Sequence, residues 1–207
     1  MGSEKEKFGI KYSYMSDRGI FRYLDCLSLT EEELNDPESI ILDLGSGTEQ
    51  NFAKEARLLG LKSTVISMDP RLALNEKEDL SMPHSDKEAR IRGRDNPEPK
   101  TIAAIGGALP FKDGSIKKIY ALYSVPYYLN DKEAIEKNLC EMIRVLSPHG
   151  TAKVFPIPPE QERLVGEALD KKSDQVKYSL IFNSEYMGML LVITKEESTK
   201  GTSADKR

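Results

Sequence analysis

IILDLGSGTEQNF, residues 40–52, opens as an apolar run, meets one acid at Asp43 and breaks into Gly45-x-Gly47 before a helix-like stretch. That order reads as a buried strand ending in a tight corner that feeds a helix. Phe52, Ala56 and Leu59 recur on one face of the helix, and Gly60 stands where it should terminate. A second apolar run, Ser63 to Asp69, also ends on an acid. Further on, TIAAI (101–105) and IKKIYALY (116–123) read as third and fourth strands, with the turn-rich LPFKDGS between them. The stretch 131–146 carries Ile135, Leu139, Met142, Ile143 and Leu146 on one helical face, after which SPHG reads as a turn into the strand TAKVFPI. A helix around Glu160 to Lys171 precedes two apolar segments, KYSLIFN and MGMLLVIT. The few residues between these two segments are too short for a helical crossover, so they pair antiparallel. Strands alternating with amphipathic helices predict an α/β protein, a parallel sheet covered by helices.

Composition narrows the classes. The chain has 207 residues, 30 Lys and Arg against 34 Asp and Glu, and a net charge of -4, which suits one domain. That domain is expected over 1–194, with N-terminal helices within 16–36, a charged insertion at 75–100 and a disordered tail at 195–207. His84, inside the insertion, reads as a solvated side chain. No window approaches the roughly 18 apolar residues of a membrane span, and no apolar segment of the signal-peptide kind follows MGSEKEKF. Glu6 stands where a myristoylation pattern needs Ser or Thr. A soluble, cytoplasmic protein without a membrane partner is the expectation. The acidic balance argues against a broad nucleic-acid footprint. Cys26 and Cys140 lie in apolar helical contexts without metal-type spacing and read as buried thiols, with no metal site.

The corner itself points to a ligand. Glycines at 45 and 47 let backbone approach a bound molecule and tolerate positive φ. The dinucleotide fingerprint needs a third glycine where Gln50 stands. Asp43, just before the glycines, suits a positive centre better than a pyrophosphate. Asp69 closes the second strand at the place where doubly wound folds hold ribose hydroxyls.

Four ordered segments, DLGSGT, VISMDP, GALPFKDGSIKKIYALYSVPYYLND and EMIRVLSPHGTAKVF, together resemble the class I S-adenosylmethionine-dependent methyltransferases. They are similar above all to the small-molecule branch of the ubiquinone-biosynthesis kind. The resemblance covers about residues 38 to 155. It implies a Rossmann-like, doubly wound, mostly parallel seven-stranded sheet with an antiparallel C-terminal strand and helices on both faces. It also implies S-adenosyl-L-methionine as cofactor and in-line methyl transfer to a small-molecule acceptor. By the same resemblance Asp43, Gly45, Ser46 and Gly47 line the methionine part of the cofactor and Asp69 bonds the ribose. The family places an acid against the adenine amino group where this chain has Ile105, so adenine is expected to be held by apolar contact. His149 replaces a turn glycine of the family and fits a left-handed position.

The acceptor is expected beyond the fourth strand, at Tyr123-Ser124-Val125-Pro126-Tyr127-Tyr128. This segment also resembles the Asn-Leu-Pro-Tyr of rRNA adenine dimethylases, which leaves amino-group methylation of a nucleobase or amide as an alternative. Ser124 and Tyr127 are then the catalytic candidates, and Ser124 also borders the cofactor. A third alternative is a protein that binds S-adenosylmethionine without transferring its methyl group.

Overall fold

The computed structural model describes residues 5–7, 10–12, 19–73 and 97–197. The chain opens with a short antiparallel ribbon, β1 (Lys5–Lys7) and β2 (Ile10–Tyr12). Two short helices follow, α1 (Ile20–Cys26) and α2 (Glu31–Leu34). A capping box starts α2: Glu33 N–H donates to Thr30 Oγ1, and Thr30 N–H donates to the Glu33 carboxylate.

The main sheet then builds in βα units. Strand β3 (Ile40–Leu44) leads into α3 (Asn51–Leu58), and β4 (Thr64–Met68) into a 3₁₀ turn, Pro70–Ala73. After β5 (Thr101–Ile102) come β6 (Ile116–Leu122), α4 (Lys132–Val145), β7 (Leu146–Ile157) and α5 (Pro159–Asp170). Strands β8 (Val176–Asn183) and β9 (Gly188–Lys195) finish the sheet, whose order is β5-β4-β3-β6-β7-β9-β8. Neighbours from β5 to β7 pair parallel, and β9 runs antiparallel to both β7 and β8. Between β3 and β6 the winding reverses, and open α/β sheets bind ligands at such a switch point.

Side-chain alternation divides the core between the two faces. Leu42, Ile119, Ala121 and Val154 point toward α4 and α5 and pack with Leu139 and Met142. Ile41, Tyr120, Leu122 and Phe155 face the other way and pack with Tyr23 and Phe52 from α1 and α3. Gly60 ends α3 with φ +68, its N–H on Arg57 O and the Leu61 N–H on Ala56 O, the paired bonds of a Schellman motif.

Several sequence expectations change in detail. The third strand keeps only Thr101 and Ile102, because after Ser67 and Asp69 the next ladder donor on β4's side, the Arg71 N–H, is turned onto the Asp69 carboxylate in the 3₁₀ turn. SPHG lies inside β7 rather than before it; His149 takes φ +60 there, and the register with β6 shifts beside it. Cys26 is buried, but Cys140 is only half-buried because it sits at the flank of the apolar face of α4. Lys195, expected in the tail, ends β9 and donates to the carbonyls of Ile143, Arg144 and Leu146 at the C-terminus of α4. Residues 75–96 of the charged insertion, His84 among them, and 198–207 of the tail lie outside the described residues. Among the described residues no helix is long and apolar enough to cross a membrane, and no cluster of His, Cys, Asp or Glu could hold a metal ion.

Candidate functional site

The corner after β3 forms because Gly45 (φ +80) and Gly47 (φ +71) both adopt the left-handed region, costly for residues with a Cβ. Three consecutive N–H groups turn inward. Gly45 and Ser46 donate to Met68 O at 2.7 and 3.1 Å, and Gly47 donates to Asp69 Oδ2 at 3.0 Å. A phosphate cradle needs such groups pointing outward; this corner spends all three on β4 and Asp69 and offers none of them to a phosphate. Ser46 is buried, with its hydroxyl on Gly47 O.

Ser124, at the end of β6, packs directly onto the corner. Its hydroxyl donates to Leu44 O at 2.6 Å, and a Cβ added to Gly45 would come within 2.2 Å of Ser124 Cβ. Glycine at 45 is thus demanded by the neighbouring strand end, before any ligand is considered. Asp43 is fully buried and accepts a 2.6 Å hydrogen bond from the Tyr23 hydroxyl; Tyr23 in turn stacks on Phe52 at 4.3 Å. The acid therefore ties α1 to the base of the corner.

Asp69 is the more informative carboxylate. Oδ1 accepts from the backbone N–H and Nε of Arg71, both at 2.9 Å, and Oδ2 accepts from a terminal guanidinium nitrogen of Arg71 at 2.7 Å as well as from Gly47. Four bonds use the full acceptor capacity of a carboxylate. Burial pushes the Asp69 carboxyl up, but Arg71 and the two backbone N–H groups more than offset this and hold it below its ordinary value.

Gln50 stands where the dinucleotide fingerprint has glycine. It is buried, takes φ +54, and its side-chain oxygen accepts from Glu98 N–H at 2.9 Å and the Thr101 hydroxyl at 2.5 Å. The side chain thus binds the start of α3 to the approach of β5. On the far side of the switch point, Leu109 and Phe111 are clamped by α4: Leu109 N–H donates to Glu141, and Arg144 donates to the carbonyls of both residues. Ile105, just before this clamp, is 57% exposed, an apolar surface beside the corner's strands.

Just past the end of β6, Tyr123 takes φ +48 and turns the chain outward, so that Ser124 faces the corner while Tyr123 and Tyr127 face away. Tyr127, 39% exposed, lies edge-on to Tyr123 at 6.1 Å. Gln161 of α5 steadies this segment by donating to Leu129 O at 2.5 Å. Beside it opens a cavity of about 590 Å³. Tyr123, Tyr127, Phe182 and Tyr186 supply its rings, and Glu160 and Glu162 its charges. Arg22 lies over two of the rings, its guanidinium carbon 4.2 Å from the Tyr186 centroid and 5.8 Å from that of Tyr123.

The structure thus brings Asp43, Gly45, Ser46, Gly47, Asp69 and Ser124 into one corner, with Ile105 at the edge of the same strand ends and Tyr127 on the cavity side. Sequence reasoning overlooked Tyr23, Arg71 and Arg22, and saw in Gln50 only a missing glycine. An arginine two places after the strand-end acid was a readable signal for Arg71; the others act across the fold.

No family model matches the sequence, and no curated protein matches it. Solved structures do. A candidate S-adenosyl-L-methionine-dependent methyltransferase from Methanococcus maripaludis is 13% identical, with 97% of this chain and 100% of that chain covered and a TM-score of 0.59. The N-methyltransferase NodS from Bradyrhizobium japonicum WM9 is 15% identical over 86% of this chain and 96% of its own, with a TM-score of 0.52. A candidate rRNA methylase from Clostridium thermocellum is 14% identical over 84% and 97%, also at 0.52. At these identities the likeness is one of fold: the chain has the Rossmann-like fold of the class I S-adenosylmethionine-dependent methyltransferases.

Proposed function

We propose that this chain is an S-adenosylmethionine-dependent methyltransferase acting on a small-molecule acceptor. The observation that carries the reading is the corner at the switch point, whose N–H groups turn inward while Asp69 stands at the next strand end. Such a corner suits a nucleoside without phosphates. Gly45, Ser46 and Gly47 would border the methionine part and Asp69 the ribose diol, once Arg71 moves off the carboxylate. Ile105 offers apolar contact to the adenine. The bound donor would supply an electrophilic methyl on its sulfonium, and in-line displacement needs alignment and exclusion of water more than a side-chain catalyst. Tyr123 and Tyr127 border the space on the acceptor side.

Two carboxylates and no Lys or Arg among the described lining residues favour a small molecule over a nucleobase within a nucleic acid, whose phosphates need basic neighbours. Isothermal titration with S-adenosylmethionine and S-adenosylhomocysteine tests the reading. Asp69→Ala should weaken either ligand by about one to two decades, with circular dichroism confirming the fold. Absence of binding by the folded wild type at millimolar ligand would overturn the proposal. Binding with no turnover on any acceptor would move the reading to a binding protein.

A further inference from the structure

We infer that the 590 Å³ cavity beyond Tyr127 takes a molecule bearing an organic cation, an alkylammonium on an apolar body; that this molecule is the acceptor rests on the methyl-transfer reading above. Among the described residues the cavity's charged lining is of one sign. Glu160 and Glu162 both come from the first turn of α5, and neither has an ion-pair partner among the described residues. Acids in a first turn also complement the helix dipole, but these two border a cavity whose other walls are rings, prolines, methionines, Ile157 and Gly188. Aromatic faces beside carboxylates attract ammonium groups by cation–π and Coulomb terms together. Two of these rings, Tyr123 and Tyr127, stand nearly perpendicular to one another, at 80°. The Arg22 guanidinium also lies over two of the rings, Tyr186 and Tyr123, a resident positive charge against which the carboxylates must hold a second cation. Phe182 and Met187 are exposed at the mouth, apolar surface for the body of the ligand.

Position links the cavity to the corner. Ser124 touches Gly45, and its neighbour Tyr123 lines the cavity, so one residue separates the two spaces. The inference tests independently of the donor with three probes that share one body and differ in charge: phenethylamine, phenethyl alcohol and phenylacetate. Each is titrated calorimetrically at pH 7.5 and low salt, with and without saturating S-adenosylhomocysteine. The amine should bind about ten-fold tighter than the alcohol, and phenylacetate weakest. Glu160→Gln/Glu162→Gln should bring the amine to the level of the alcohol and leave S-adenosylhomocysteine binding unchanged. Tyr127→Leu should weaken the amine several-fold, and Tyr127→Phe should not. An amine no tighter than the alcohol, a preference that survives the double Gln variant, or phenylacetate as the tightest ligand, with Arg22 then the recognising group, would each overturn the inference. If S-adenosylhomocysteine fails to bind while the amine preference persists, the donor reading falls and the cation site stands; the reverse result removes the cation site and leaves the donor reading.

Discussion

Removing the Arg71 guanidinium should strengthen nucleoside binding while weakening the fold. In the structure Arg71 contributes two of the four bonds that saturate Asp69 through its side chain, so a ribose diol bonded to Asp69, as proposed, would have to displace it. The Asp69 side chain is 3% exposed, but that of Arg71 is 34% exposed. The pair therefore ranks with screened surface pairs, about 1 kcal/mol, rather than with fully buried ones at about 3 to 5 kcal/mol. Arg71→Met keeps the aliphatic stem and recovers that displacement cost, a gain of about five-fold in affinity for S-adenosylhomocysteine. Calorimetry at pH 8, where the carboxylate is ionised, is the assay. Stability moves the opposite way. Asp69 is held below its ordinary value, so its pairing stabilises above about pH 4 and is lost as pH falls through the folded-state value. Without the Arg71 guanidinium, burial, the largest single cause and one that raises the carboxyl, is opposed only by the Gly47 and residue-71 backbone N–H groups. The melting temperature of Arg71→Met should therefore lie below wild type at pH 7, and the gap should close toward pH 3. An affinity unchanged or reduced in the variant would refute the displacement argument and make Arg71 a ligand contact or a bystander.

Three further outcomes follow from the same geometry. Gly45→Ala should cost about 3 kcal/mol, from a Cβ 2.2 Å from Ser124 Cβ and a left-handed φ; Ser124→Gly in the same chain should recover part of the loss, which denaturant midpoints would show as non-additivity. Gln50→Ala should cost about 2 kcal/mol by stripping the buried Glu98 N–H of its acceptor, the Thr101 hydroxyl turning to Glu98 O, and Gln50→Gly should lose about 1 kcal/mol less because it relieves the left-handed backbone. Burial raises the Glu55 carboxyl against the opposing Ile20 N–H, so its favourable contribution is present below the ordinary carboxylate range and lost as pH rises through the folded value. Glu55→Gln should therefore melt higher than wild type at pH 7 and equally at pH 4; the same difference at both would exclude ionisation as the cause.

What could be read directly from the chain was whatever depends on near neighbours along it. Ile40–Leu44 and Ile116–Leu122 declare themselves as two-face buried strands, the face of α4 repeats with helical period, and Gly60 marks a helix end, because burial and backbone geometry act within one or two turns. The corner at Gly45 and Gly47 was legible for the same reason, as was the left-handed His149. The partners of these residues were not. Ser124 meets Gly45 across 79 positions, Gln50 reaches Thr101 across 51, and the cavity gathers side chains from around residues 123, 160 and 186. No local period or propensity encodes such meetings; they arise when the parallel register brings the C-terminal ends of β3, β4, β6 and β7 to one edge. Whether Asp69 faces open space or a guanidinium, and whether a glycine yields to a ligand or to a neighbouring serine, are questions of distance in three dimensions, settled by packing.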